Sequence, residues 1–312
     1  MPCRPFWGAG GPIADELVRE LRAHYTADIR LVGRHPHRVA DADELVAADL
    51  LDAQATVRAV AGSDTAYFTV GLPMDAAQWE ARFPVMMRNA IDACERHGTR
   101  LEFFDNTYMY PGTPAPQVDG QVAFAPNGPK GRVRARLATM LQSEMDAGRI
   151  EALICRAPEF YGPGKTKSLT NRLVFDRIRA QRRPLVSVSA DTKRSLIWTP
   201  DASRAMALLG NTPDAYGQTW HLPIDPDRRT YRELIGLAAC AAGRAIGWTV
   251  LPRPVFTIGG RLVPALGEVR ELLPRYAHDN IFDSAKFAAR FPGFRVTGYR
   301  EGIEELLAQP VR

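Results

Sequence analysis

The chain has 312 residues, 46% of them hydrophobic and 24% charged, with a formal net charge of +5. That is a globular composition, long enough for one large α/β domain with an added lobe; it contains no disordered block, low-complexity run or solenoid repeat. With no apolar run of about 18 residues and no basic motif joined to an aromatic platform, neither a membrane nor a nucleic acid is expected as a partner.

A short apolar run over residues 3 to 8 reaches glycine, and a helical pattern through Ile13, Leu17, Val18 and Leu21 follows. Asp28–Gly33 alternates as a strand, the segment from Asp43 to Leu51 leads to a helix over 53 to 60, and Thr65–Val70 reads as a buried strand ending at Gly71. A long helix from Ala76 to His97 is stopped by Gly98, and Arg100–Phe104 is the next strand. A helix from Gly131 to Ala147 precedes the strand Glu151–Cys155. Strands alternating with helices of this length make parallel βαβ units, so the expected fold is a Rossmann-type doubly wound α/β sheet over residues 1–165. Residues 166–312 differ, with short strands at 184–189, 195–199 and 218–222 and helices at 201–209 and 231–242. They read as a smaller C-terminal substrate-binding lobe, partly interleaved with the same sheet.

The cluster Gly8-Ala-Gly-Gly-Pro-Ile-Ala14 lies between a strand and a helix, where small residues let the backbone approach a pyrophosphate and free helix N–H groups face the anion. Gly8, Gly10, Gly11, Pro12 and Ile13 are therefore the expected dinucleotide contacts. Arg4 and Pro5 suit a central strand poorly, since proline donates nothing to a sheet ladder, so a short or irregular first strand is expected. After the second strand stand Arg34, His35, His37 and Arg38 in place of the carboxylate that would hold a ribose 2′-hydroxyl. Arg34, with Arg38 nearby, favours NADP(H), with NAD(H) the alternative. Asp49 and Leu50 would lie by the adenine, or Asp49 would cap a helix, and Val70 and Gly71 would line the cofactor from the end of the next strand.

The chain resembles the extended and atypical short-chain dehydrogenase/reductases, the NAD-dependent epimerase/dehydratase family, over nearly its whole length. The resemblance rests on the glycine cluster, Ala48-Asp-Leu50, Thr69-Val-Gly71, Phe104-Asp-Asn-Thr-Tyr-Met-Tyr110, Arg156-Ala-Pro-Glu-Phe-Tyr-Gly-Pro-Gly164 and Ile197-Trp-Thr-Pro-Asp-Ala-Ser-Arg-Ala205. It implies cofactor contacts from Arg156 and Pro158, and a structural role for the stretch around Asp201. It also implies a tyrosine followed four residues later by a lysine that tunes the phenol, with a serine nearby. Here Asn106 falls at the serine position, Lys130 at the tyrosine position and Arg134 at the lysine position.

Three readings follow from that departure. Lys130 acts as acid/base with Arg134 lowering its pKa; or Tyr108 or Tyr110 supplies the phenol beside Asn106; or Lys130 only binds the nicotinamide ribose and the chemistry is non-redox or absent. Trp79, Tyr108, Tyr110, Phe160, Tyr161 and Trp198 would form an aromatic wall for a hydrophobic or aromatic substrate. The leading expectation is an NADP(H)-binding oxidoreductase or epimerase/dehydratase-like enzyme on a small molecule. The alternatives are a cyclase, isomerase or lyase on the same fold, or a nucleotide-sensing protein. The four cysteines, Cys3, Cys94, Cys155 and Cys240, have no metal-pair spacing, so no metal is expected and a reducing cytoplasm fits. The Arg177–Arg183 run reads as a solvated helix face, and the long helices suit a monomer or a homodimer.

Overall fold

The computed structural model describes residues 4–7, 11–117, 122–164, 166 and 168–309; Cys3, Gly8 and Gly10 lie outside the described residues. The chain divides into two compact units that interleave in sequence: residues 1–109, 129–157 and 202–222 form the first, and 110–128, 158–201 and 223–312 the second.

The first unit is built on a seven-stranded, all-parallel sheet. Its strands are β1 (Arg4–Trp7), β2 (Ile29–Gly33), β3 (Glu44–Ala47), β4 (Thr65–Phe68), β5 (Arg100–Asp105), β6 (Ala152–Arg156) and β7 (Thr219–His221). Across the sheet they run β7-β6-β5-β4-β1-β2-β3. The chain steps outward from β1 to β3, then returns past β1 to β4, which is the doubly wound order and sets the switch point between β1 and β4. The short β1 sits at the centre despite Pro5. It pairs with β2 along all four residues but with β4 only at Phe6 and Trp7, so that ladder begins just past the residue without an N–H.

Strand alternation explains why the sheet is buried on both sides. After α1 (Pro12–His24) and α2 (Ala53–Val60), the helices α3 (Ala76–His97) and α4 (Pro129–Asp146) bring Phe83, Met87, Ile91, Leu137 and Leu141 into one cluster with Phe68, Leu101, Phe103 and Ile154. Their neighbours Tyr67, Glu102 and Cys155 are equally buried, and Tyr67 and Glu102 face Gly210 of the helix Thr199–Gly210. Cys155 donates to Glu102 Oε1 at 3.1 Å, and burial pushes its thiol well up, as it does that of Cys94. Asp75 caps α3 by accepting from Gln78 N at 3.0 Å, and Gly98 closes it in the left-handed region at φ +63°. Arg88 on α3 donates to Glu144 on α4 at 2.7 Å, fixing the pair.

Among the described residues the second unit has three short strand pairs: Glu159–Tyr161 with Leu196–Trp198, Lys193–Arg194 with Arg229–Thr230, and Leu185–Ser187 with Thr249–Leu251. Asp201 accepts from both the N–H and the hydroxyl of Thr297, a structural use of that carboxylate. The basic run is more than a solvated face. Arg177 donates to Arg183 O at 2.7 Å, Arg179 to Gln309 O at 3.3 Å and Arg183 to Trp248 O at 2.8 Å, so these side chains tie down turns. No helix among the described residues is long and apolar enough to cross a membrane, and no cluster of His, Cys, Asp or Glu there could hold a metal ion.

Candidate active site at the carboxyl edge of the sheet

Parallel strands present their carboxyl ends on one edge, and in doubly wound sheets ligands bind there, at the switch point. Gly11 is the N-cap of the helix Pro12–His24, with extended backbone and no side-chain cap, and Pro12 occupies the first turn. The helix therefore offers its first N–H groups without a competing oxygen. Ile13 is buried, and its carbonyl accepts from Ser203 Oγ at 3.1 Å.

Arg34 stands on the bend after β2, exposed and with no ion pair or hydrogen bond among the described residues. Arg38 is committed elsewhere: it donates to the carbonyls of Asp41 (2.8 Å) and Asp43. Asp49 accepts from Leu51 N at 3.0 Å in a local turn, and the N-cap of the next helix is Asp52, which accepts from Ala55 N. Leu50 is buried, its carbonyl held by Asn89 Nδ2 at 2.7 Å. Past the end of β4, Val70 is half-buried and Gly71 exposed; a Cβ on Gly71 would meet nothing within 4 Å. A bare helix start, an open glycine and an uncommitted arginine on this sheet suit an anionic dinucleotide.

At the end of β5 the chemistry thickens. Asp105 is fully buried between two arginines: Arg156, paired with it in register on β6, approaches at 3.4 Å, and Arg134 of α4 at 3.5 Å. Burial raises the Asp105 pKa from its ordinary value, with the two guanidinium groups opposing it. The Arg134 guanidinium lies over the rings of Phe83 (4.7 Å), Trp79 (5.1 Å) and Phe103 (5.8 Å). Its Nε and Nη1 have no hydrogen-bond acceptor, and burial lowers its pKa against the pull of Asp105 and Tyr108. Lys130, one helical turn earlier, is also buried, and its charge helps to hold down the pKa of Asp75, where the main cause is the Gln78 N–H.

The loop after β5 presents the half-buried side chains. Asn106 Oδ1 accepts from Tyr108 N at 2.8 Å, leaving its amide N–H groups to donate outward. Tyr108 stacks on Trp79 with centroids 6.1 Å apart and planes within 7°, and Trp79 is anchored by donating to Pro73 O at 2.7 Å. Trp79, Tyr108, Asn106, Lys130 and Arg134 thus gather in the first unit.

The other expected wall residues belong to the second unit, and most are packed rather than presented. Tyr161 is completely buried among Trp198 (5.1 Å), Tyr299 (5.6 Å) and Phe175 (5.9 Å), and a Cβ on Gly302 would lie 2.7 Å from its hydroxyl. Burial drives its phenol pKa well up. Trp198 shares that core, so both are core aromatics rather than a substrate wall. Tyr110 is buried beside Phe124, its carbonyl accepting from Arg275 at 2.7 Å; Phe160 is half-buried and Pro158 buried. Asp105 and Phe103 were not among the residues expected from sequence. The available signal was a carboxylate and an arginine each ending a neighbouring apolar strand.

Residues 7–222 match the model of the NAD dependent epimerase/dehydratase family. The chain belongs to that family. No curated protein matches the chain. Among solved structures, it is similar to a UDP-glucuronic acid 4-epimerase from Bacillus cereus in complex with NAD, at 12% identity and a TM-score of 0.79 over 100% of both chains. It is also similar to the UDP-glucose 4-epimerase of Thermus thermophilus in complex with NAD, at 16% identity and a TM-score of 0.76 over 98% of each chain. A dTDP-glucose 4,6-dehydratase from Streptomyces venezuelae with NAD bound shares 17% identity and a TM-score of 0.72, over 98% of this chain and 96% of that one. These likenesses show a shared Rossmann-type fold, in a family of NAD-binding epimerase/dehydratase-like enzymes.

Proposed function

We propose that this member of the family binds NADP(H) in preference to NAD(H) and acts on the carbonyl or carbinol carbon of a small, apolar or aromatic molecule, with Tyr108 as its proton-transferring group. The observation that carries the reading is the stack at the end of β5. Tyr108 lies parallel on Trp79, and Arg134 sits over the same indole ring. Tyr108 is half-buried and reachable, whereas Lys130 is closed to solvent. Phenol and cation, which the family sets four residues apart on one helix, here come from a loop and a helix.

The cofactor, when bound, supplies or accepts a hydride. The chain's part is to hold the reacting oxygen and move its proton. Gly11, Ile13 and Gly71 would face the pyrophosphate, and Arg34 the 2′-phosphate. The Asn106 amide donates to the substrate oxygen while Tyr108 Oη gives or takes the hydroxyl proton. Arg134 favours the phenolate electrostatically, and Trp79, itself buried, braces the Tyr108 ring.

Arg34 gives the first test. In fluorescence titrations, Arg34→Ala should weaken NADPH binding about tenfold or more and NADH binding by less than about twofold. Equal losses, or tighter NADH binding by the unmodified protein, would remove the NADP(H) preference. The buried cage around Arg134 favours a second reading, in which the pocket performs a non-redox isomerisation or elimination, or only senses the nucleotide. A substrate converted with no net change in cofactor oxidation state would select it.

A further inference from the structure

The helix Arg253–Leu262 in the second unit is held on one face only. Phe256 is buried against Val269 and Leu273, with Leu251 and Leu266 packed alongside. Gly259 and Gly260 bring the next helical turn so close that a Cβ on Gly260 would lie 2.8 Å from the Gly267 Cα. The helix is therefore fixed in its seat, and what it turns outward is presented rather than loosely docked.

That outward face is apolar. Val255, Ile258 and Leu262 follow one another at spacings of three and four, which places them on one stripe. Ile258 is 62% exposed and Leu262 84%. Val250 on the preceding strand and Val263 at the end of the helix are exposed as well. A contiguous exposed apolar patch marks a contact surface, unlike single scattered residues.

Charge says which kind of surface it meets. From Leu234 to Gly267 the sequence has no Asp or Glu, while Arg244, Arg253 and Arg261 are all exposed. The side chains of Arg253 and Arg261 make no ion pair or hydrogen bond among the described residues. Arg183, bonded to Trp248 O, and the exposed Arg182 add charge beside the strand that leads into the helix. A second copy of the chain would meet this patch with the same arginines and no carboxylate to pair them. An apolar stripe on a helix that also carries two unpaired arginines, Arg261 beside the stripe and Arg253 at the helix start, matches the boundary of an anionic bilayer, where acyl chains lie under phosphate.

We propose that the outward face of Arg253–Leu262 docks the protein peripherally on a membrane surface rich in anionic lipid, with Val255, Ile258 and Leu262 entering the acyl boundary and Arg253 and Arg261 pairing with phosphates. This runs against the expectation from sequence that no membrane is a partner, which rested on the lack of a long apolar run; a helix of ten residues lies on a bilayer without crossing it.

The test is co-sedimentation of the full chain with vesicles of phosphatidylcholine alone or of phosphatidylcholine mixed with phosphatidylglycerol. The mixed vesicles should bind about tenfold more protein, and the excess should fall with added salt. Ile258→Glu with Leu262→Glu should abolish binding while circular dichroism and the unfolding midpoint stay unchanged, since both side chains are exposed. Sedimentation that ignores vesicle composition, or binding that survives the double substitution, would overturn the proposal. So would light scattering showing a dimer that the same substitutions dissolve, since that assigns the face to a second copy.

Discussion

Each unit buries an arginine among aromatic rings beside a carboxylate, and the two arginines are treated differently. In the second unit, Arg194 lies over Tyr276 at 4.3 Å and Tyr231 at 5.8 Å, donates to Arg275 O and pairs with Glu159 at 3.4 Å. Glu159 in turn accepts from Thr170 N, Thr170 Oγ1 and Tyr276 Oη. Burial works against the Arg194 charge, but the oxygens of Tyr231, Glu159 and Tyr276 outweigh it and the pKa rises. Around Arg134 burial wins, and both Nε and Nη1 find no acceptor, where at Arg194 Nε alone lacks one. A nearly completed network specifies structure; an under-satisfied buried cation beside a reachable phenol is a place where a protein has given up stability for chemistry.

The largest expected effect follows from that contrast. Arg194→Met leaves the half-buried Glu159 without its cation and Arg275 O without its donor, and should cost about 3 kcal/mol in denaturant unfolding. Arg134→Met should cost less than about 2 kcal/mol, because the replacement packs among the same rings and Asp105 keeps Arg156. Equal losses would break the comparison.

Tight packing in the second unit gives a middle-sized effect. Gly302→Ala drives a methyl to 2.7 Å from Tyr161 Oη and 3.1 Å from the Trp198 ring, and should destabilise by about 1–3 kcal/mol. A neutral result would mean that Tyr161 and Trp198 have room to move and would return them to consideration as substrate contacts.

The smallest effect sharpens how α4 is held. The pKa of Glu144 is lowered from its ordinary value, chiefly through the hydrogen bond from Arg88 and further through Arg149. A carboxyl depressed on folding stabilises above its unfolded pKa, and that stability is lost as pH falls through the folded value. Between neutral pH and about pH 3 the protein should therefore lose on the order of 1 kcal/mol more than Glu144→Gln does. Parallel acid profiles would show that this bridge carries nothing.

The fold was largely legible because β4, β5 and β6 are apolar runs and α3 carries its own stop at Gly98, whereas β3, mostly exposed, gave no such run and was not expected as a strand. Pro5 misled only about regularity: register lets a central strand keep a proline when one neighbour starts pairing a residue later. Spacing put Arg134 in the lysine position but said nothing of its surroundings, because Trp79 and Phe83 arrive from α3 and Phe103 from β5. Nor does periodicity separate a pocket wall from a core, since both bury aromatics. Tyr161 fell on the wrong side of that ambiguity, and Asp49 yielded the helix cap to Asp52 three residues on.

The central claim, that Tyr108 and Arg134 replace the dyad found on one helix elsewhere in the family, is tested without any substrate. Phenolate absorbance is followed against pH in the unmodified protein and in Arg134→Met, each referenced to its Tyr108→Phe counterpart. The Tyr108 signal should develop about one pH unit lower when Arg134 is present. Coincident titrations would show that Arg134 does not act on the phenol, and the proposed proton route would fail with them.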